Sequence, residues 1–101
     1  MITKQITISN PCGIHVRPAG IVAKEMAKFP NVTFEIDNGE GFRKTRSIMS
    51  LMLLALSFGK TILLRAYGPN EEVACNTVAQ LLGGEFECDK DYHQLRKNIA
   101  I

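Results

Sequence analysis

A chain of 101 residues can close one modest core but not two, so a single domain is expected. Hydrophobic residues make up 46% and charged residues 22%, a balance that excludes a disordered chain, and a formal net charge of +2 is too small to argue for a nucleic-acid partner. The cysteines Cys12, Cys75 and Cys88 are odd in number and lack zinc-type spacing, so three reduced thiols and no metal site are expected.

The first stretch, "TKQITIS" at Thr3 to Ser9, alternates with Ile6 and Ile8 on one side, as a half-buried strand does, and not as the apolar core of a secretory leader. Asn10, Pro11 and Gly13 break it. From Val16 to Phe29, Ala19, Val22, Ala23 and Met26 recur at helical spacing until Pro30-Asn31. "VTFEID" at Val32 to Asp37 alternates again, with Val32, Phe34 and Ile36 inward. "NGEG" at Asn38 to Gly41 has the composition of a hairpin turn, and a short strand near Phe42 to Thr45 follows.

Ser47 then reads as the N-cap of a helix in which Ile48, Leu51, Met52 and Ala55 face the sheet and which ends near Ser57-Phe58-Gly59. Its run "IMSLMLLALSF" is too short to span a bilayer, which takes about 20 residues. "KTILLRAY" at Lys60 to Tyr67 is the last strand. After Gly68-Pro69, Asn70 is placed to cap a helix carrying Glu71 and Glu72 in its first turn and Ala74, Val78, Leu81 and Leu82 as its stripe, ended by Gly83-Gly84. The order is βαββαβα, an α+β fold with helices on one face of an antiparallel sheet. Residues 1–84 form the domain, and residues 85–101 a charged C-terminal extension.

The stretch "NPCGIHVRPAG", Asn10 to Gly20, carries the chemistry. If a helix begins at Val16, His15 stands at its N-cap and Pro18 in its first turn, where a missing N–H breaks no helical bond. The unpaired first-turn amides and the helix dipole favour an anion there. Arg17 adds a forked cation suited to phosphate oxygens. A neutral imidazole has a nitrogen lone pair able to attack phosphorus, and cationic neighbours disfavour a metal ion. On these residues alone, His15 is open between an ordinary cap residue and a phosphoryl acceptor.

In "RSIMSLMLLAL", Arg46 to Leu56, apolar residues occur almost all round the helix. If one side faces the sheet, Met49, Leu53 and Leu56 must fill a second side of the core or form a partner-binding patch, and periodicity leaves both open.

Taken together, "GIHVRPAG", "RSIMSLM" and the element order resemble the histidine-containing phosphocarrier (HPr) family of the bacterial phosphoenolpyruvate-dependent sugar phosphotransferase system, over the chain from the first strand to about Gly84. The resemblance implies an open-faced β-sandwich of four antiparallel strands with three helices on one face. It implies a monomer that is not an enzyme in its own right and needs no cofactor; the alternating first stretch, the short apolar run, the cysteine usage and the small charge excess lead to the expectation of a cytoplasmic protein neither inserted in a membrane nor bound to nucleic acid. His15 would take a phosphoryl group from enzyme I on Nδ1 and pass it to an enzyme IIA domain, with Arg17 stabilising the transferring oxygens. Gly20, Ile21, Ile48, Met49 and Met52 would form the docking surface. Ser47 matches the family's regulatory serine, the target of an HPr kinase/phosphorylase in many bacteria. Cys12 stands where the family commonly has Asn or Ser, Ser50 replaces a usual Gly, and Arg46 replaces a common Lys. The alternative is a regulatory adaptor whose phosphorylation state controls a kinase or transcription factor without sugar transport.

Overall fold

In the computed structural model, which describes residues 1–84, the elements run in the expected order. They are β1 (Ile2–Thr7), α1 (Val16–Met26), β2 (Thr33–Asp37), β3 (Phe42–Lys44), α2 (Ile48–Leu53), β4 (Thr61–Tyr67) and α3 (Glu71–Gly83). The strands form one antiparallel sheet in the order β1-β4-β2-β3. β4, which buries Ile62, Leu64 and Ala66, lies in the middle, pairing Ile6 with Ile62 on one side and Ile36 with Leu64 on the other.

Strand period 2 sends Ile6, Phe34, Ile36, Ile62, Leu64 and Ala66 to one face, where they are buried. The helices cover that face. Ala19, Val22 and Met26 of α1 and Ala74, Cys75, Val78 and Leu82 of α3 complete the core. The opposite face carries Thr33, Glu35, Leu63, Arg65 and Tyr67, with the Glu35 carboxylate accepting from Arg65 Nε at 3.0 Å and the Arg65 guanidinium 3.7 Å from the centre of the Phe42 ring.

Three local readings are corrected. The first helix stops at Met26 instead of reaching Phe29, because Ala27 to Phe29 continue only as tight turns, with Phe29 N–H donating to Met26 O at 3.0 Å. Arg46 secures that end: its guanidinium donates to Met26 O at 2.9 Å, to Phe29 O at 2.8 Å and to Val32 O, and lies 5.5 Å from the centre of the Phe34 ring. One of these bonds reaches a carbonyl of the last helical turn and the other two hold the turns that follow it.

In α2 the inward set is Leu51, Leu54 and Leu56, whereas Ile48, Met52 and Ala55 are exposed, against the expectation that they face the sheet. The reason is length. α2 has only six residues, Leu54 caps it, Asn38 Nδ2 donates to Leu54 O at 2.8 Å, and Ala55 enters the left-handed region at φ 51°, turning the chain so that Leu56 comes back under the helix. Asn70 takes the N-cap position of α3 but its side chain makes no capping bond; it holds φ 59°, a conformation that asparagine tolerates better than most residues.

Candidate functional site

The site begins with the loop between β1 and α1. Asn10 to Gly13 form a tight turn in which Gly13 N–H donates to Asn10 O at 2.8 Å and the buried Asn10 Nδ2 donates to Gly13 O at 2.6 Å. Gly13 has φ 66°, and a Cβ there would stand 2.8 Å from Leu56 O, so both conformation and space demand glycine. Ile14 N–H then donates to that same Leu56 O at 2.8 Å. The loop after α2 thus fixes the loop before α1 immediately ahead of His15.

His15 is the N-cap of α1, in extended conformation with φ −98° and ψ −168°, and its side chain makes no capping bond to the helix. Its carbonyl accepts from Ala19 N–H at 2.9 Å, the first intrahelical bond. The imidazole is therefore not spent on capping. It is half-buried, with Nε2 covered.

Val16 and Arg17 occupy the first two helical positions, where amides lack intrahelical acceptors, and Pro18 the third, where none is needed. No acidic side chain lies in the first turn, and Arg17 is exposed. Together these groups set unpaired first-turn amides, a cationic side chain and the positive end of the helix dipole beside a ring nitrogen, an arrangement that favours an anion.

Ser47, the regulatory candidate, lies at a different helix start. It is the exposed N-cap of α2, and its Oγ accepts from Ser50 N–H at 3.1 Å. Ser50 reciprocates. Its Oγ accepts from Ser47 N–H at 3.0 Å and Arg46 N–H at 3.1 Å, and lies 2.8 Å from both Ser47 O and the Thr45 hydroxyl. The serine that replaces a usual glycine therefore closes a reciprocal capping box. The signal was in the sequence, as two hydroxyl residues three positions apart before an apolar run.

α1 and α2 pack side by side, and Gly20 and Ile48 meet at their seam. Gly20 is half-buried and Ile21, Ile48, Met49 and Met52 are exposed, Met49 at 69%. The second-side alternative divides: Met49 and Leu53 are exposed, while Leu56 joins the core. Val16, next to His15, and Phe58, in the loop bracing Gly13, are exposed apolar residues that the sequence reading missed. The spacing of Val16 and Gly20, one helical turn apart, could have flagged the first.

One expectation about the site is overturned. Cys12 is disulfide-bonded, not a reduced thiol, and its partner lies outside the described residues. An odd number of cysteines leaves one unpaired without preventing the other two from joining, and the spacing argument bore on metal sites alone. Cys75 is free and fully buried, as expected of a small core thiol; burial pushes its thiol up, with a smaller opposing effect from Lys4. Cys88, His93 and the rest of the extension lie outside the described residues. Among the described residues no helix is long and apolar enough to cross a membrane.

Residues 2–83 match the family model described as PTS HPr component phosphorylation site. The phosphocarrier protein HPr of Buchnera aphidicola is 34% identical, covering 81% of this chain and 95% of its own length; that of Borreliella burgdorferi is 35% identical, covering 81% and 94%. Among solved structures, HPr of Thermoanaerobacter tengcongensis superposes with a TM-score of 0.74 at 30% identity, over 81% of this chain and 91% of its own. Sequence and fold agree: the chain belongs to the HPr family of phosphocarrier proteins of the phosphotransferase system, carriers rather than catalysts.

Proposed function

We propose that this protein carries a phosphoryl group on His15, taking it from phosphorylated enzyme I in the cytoplasm and giving it to an enzyme IIA domain during sugar uptake. The observation that carries the proposal is the geometry of His15: an imidazole at the cap of α1, beside the electropositive first turn but not used to cap it. The covered Nε2 supports Nδ1 as the attacking atom.

In the forward step a ring nitrogen of His15 forms a bond to phosphorus while the nitrogen–phosphorus bond of the donor phosphohistidine breaks, and the second transfer repeats this toward the acceptor. Charge on the moving group is spread over its peripheral oxygens, so most of the assistance comes from positioning and from fixed positive potential. Arg17 and the amides of Val16 and Arg17 supply that potential with little reorganisation. The carrier has to release its phosphate readily. A site at a helix start where Val16 and Arg17 are exposed suits that requirement.

The surface of Gly20, Ile21, Ile48, Met49 and Met52 is proposed to dock both partners in turn, with this protein acting as a monomer. Flexible methionine side chains fit more than one partner surface. Ser47 is proposed as a second phosphorylation site, for an HPr kinase/phosphorylase. A phosphate there would sit at the positive end of α2, favouring the helix while adding negative charge beside Ile48 and Met49.

The test is incubation with phosphoenolpyruvate and purified bacterial enzyme I. One acid-labile, base-stable phosphate per chain is expected, absent from His15→Ala; labelling that persists in this variant refutes the proposal. Passage of the label to an enzyme IIA domain separates the carrier from a regulatory adaptor, which would retain it.

A further inference from the structure

A pocket of about 460 Å³ opens where β3 ends, between the start of β2 and the start of α2, and neither His15 nor Arg17 lines it. Its size lies within the range of about 300–1,000 Å³ usual for small-molecule sites. Pro30, Val32 and Phe34 give it an apolar wall, Thr33, Lys44 and Arg46 a polar side, and no carboxylate lines it. Glu35, which pairs with Lys44 in the strand register, is committed to Arg65.

Arg46 is fixed in place there. Its Nη1 donates to Met26 O and its Nη2 to Phe29 O and Val32 O, so backbone carbonyls orient the guanidinium without removing its charge. Those bonds leave the Nε N–H and one Nη1 N–H without an acceptor among the described residues. The exposed Lys44 ammonium joins no ion pair among the described residues, and the Thr33 hydroxyl makes no hydrogen bond among them. A guanidinium already held loses little freedom when it meets an anion. A lysine at position 46 would supply the charge without the fork.

We propose that this pocket binds a small organic phosphate monoester, its phosphate against Arg46 and Lys44 and its organic body against the apolar wall. A phosphate is favoured over a carboxylate because its additional oxygen matches the number of uncommitted donors: two N–H groups of Arg46, the Lys44 ammonium and the Thr33 hydroxyl. Inorganic phosphate would leave the apolar wall uncovered. The pocket is separate from the helix start at His15, so the inference goes beyond the phosphocarrier reading and stands whether or not His15 carries phosphate.

The test is a titration of the full ¹⁵N-labelled chain with phenyl phosphate, followed by amide chemical shifts. Saturable shifts centred on Thr33, Phe34, Thr45 and Arg46 are expected, and they persist in Arg17→Ala, which removes the cation at the other site. Shifts confined to Val16 and Arg17, or shifts that never saturate, overturn the proposal. Arg46→Lys keeps the charge but loses the fork and is expected to weaken binding at least about ten-fold. Because that variant also releases the end of α1, Lys44→Gln on the exposed strand is measured beside it, with an expected loss of about five-fold. Parent affinity in Lys44→Gln overturns the cationic site. Inorganic phosphate and benzoate are each expected to bind at least about five-fold more weakly than phenyl phosphate. Equal binding of either one overturns the assignment to a phosphate monoester with an organic body. Tighter binding of a phosphoserine peptide would give the pocket to a partner's modified side chain and overturn the small-ester assignment.

Discussion

A Cβ placed on Gly20 would stand 3.8 Å from Cδ1 of Ile48, which makes this pair the seam along which the helix of His15 meets the helix of Ser47. That spacing is ordinary van der Waals contact, so one methyl group fits. Gly20→Ala is expected to raise stability by about 0.5–1 kcal/mol, the helix-interior difference between glycine and alanine, as measured by urea denaturation. Gly20→Leu must displace Ile48 and is expected to weaken binding to enzyme I. An alanine variant that loses stability would show the seam to be tighter than this distance.

Arg17 is exposed and is not part of the hydrophobic core, so its contribution can be separated from folding. Arg17→Ala is expected to leave the denaturation midpoint within about 0.5 kcal/mol of the parent. Its phosphoryl-transfer rate is expected to fall about 100-fold, a typical cost of removing one preorganised charge-stabilising donor. An unchanged rate would leave the helix-start amides alone as the phosphate cradle.

Ser50→Ala removes one half of the capping box and leaves the amides of Arg46 and Ser47 without their hydroxyl acceptor. A loss of about 1 kcal/mol is expected. Ser47→Ala removes the other half. The two losses are expected not to add, because each variant breaks the same reciprocal pair. Full additivity in denaturation experiments would mean that the two bonds act independently.

Burial raises the Cys75 thiol above its ordinary value, and this fixes a pH dependence. The folded protein resists losing that proton more than the unfolded chain does. The resulting stability is complete below the thiol's unfolded value, about pH 8.5, and is lost as pH rises toward the folded value. Cys75→Ala is therefore expected to show a shallower decline of stability between neutral and alkaline pH than the parent. Parallel declines would contradict the assignment.

Much of the fold was legible because its strands alternate cleanly and its turns carry glycine, proline and asparagine. Val32, Phe34 and Ile36 are buried as their period-2 spacing indicates. The orientation of α2 was not legible. Its apolar residues run nearly all round, so spacing could not choose a face; the choice was made by a short helix ended at Leu54 and a reversal at Ala55. The end of α1 depends on Arg46, twenty positions from Met26 in sequence, and no local pattern could reveal that guanidinium. His15, Arg17 and Ser47 could be singled out because helix-start chemistry is local. The disulfide of Cys12 could not, since cysteine spacing does not say which thiols meet.

The central claim is that one ring nitrogen of His15 carries the phosphoryl group. The most direct measurement is nitrogen-15 and phosphorus-31 nuclear magnetic resonance of the ¹⁵N-labelled protein during turnover with phosphoenolpyruvate and catalytic enzyme I. A single phosphoramidate signal coupled to Nδ1 of His15 is expected, vanishing when an enzyme IIA domain is added. No phosphoramidate signal at His15 under conditions where enzyme I itself is phosphorylated would contradict the account.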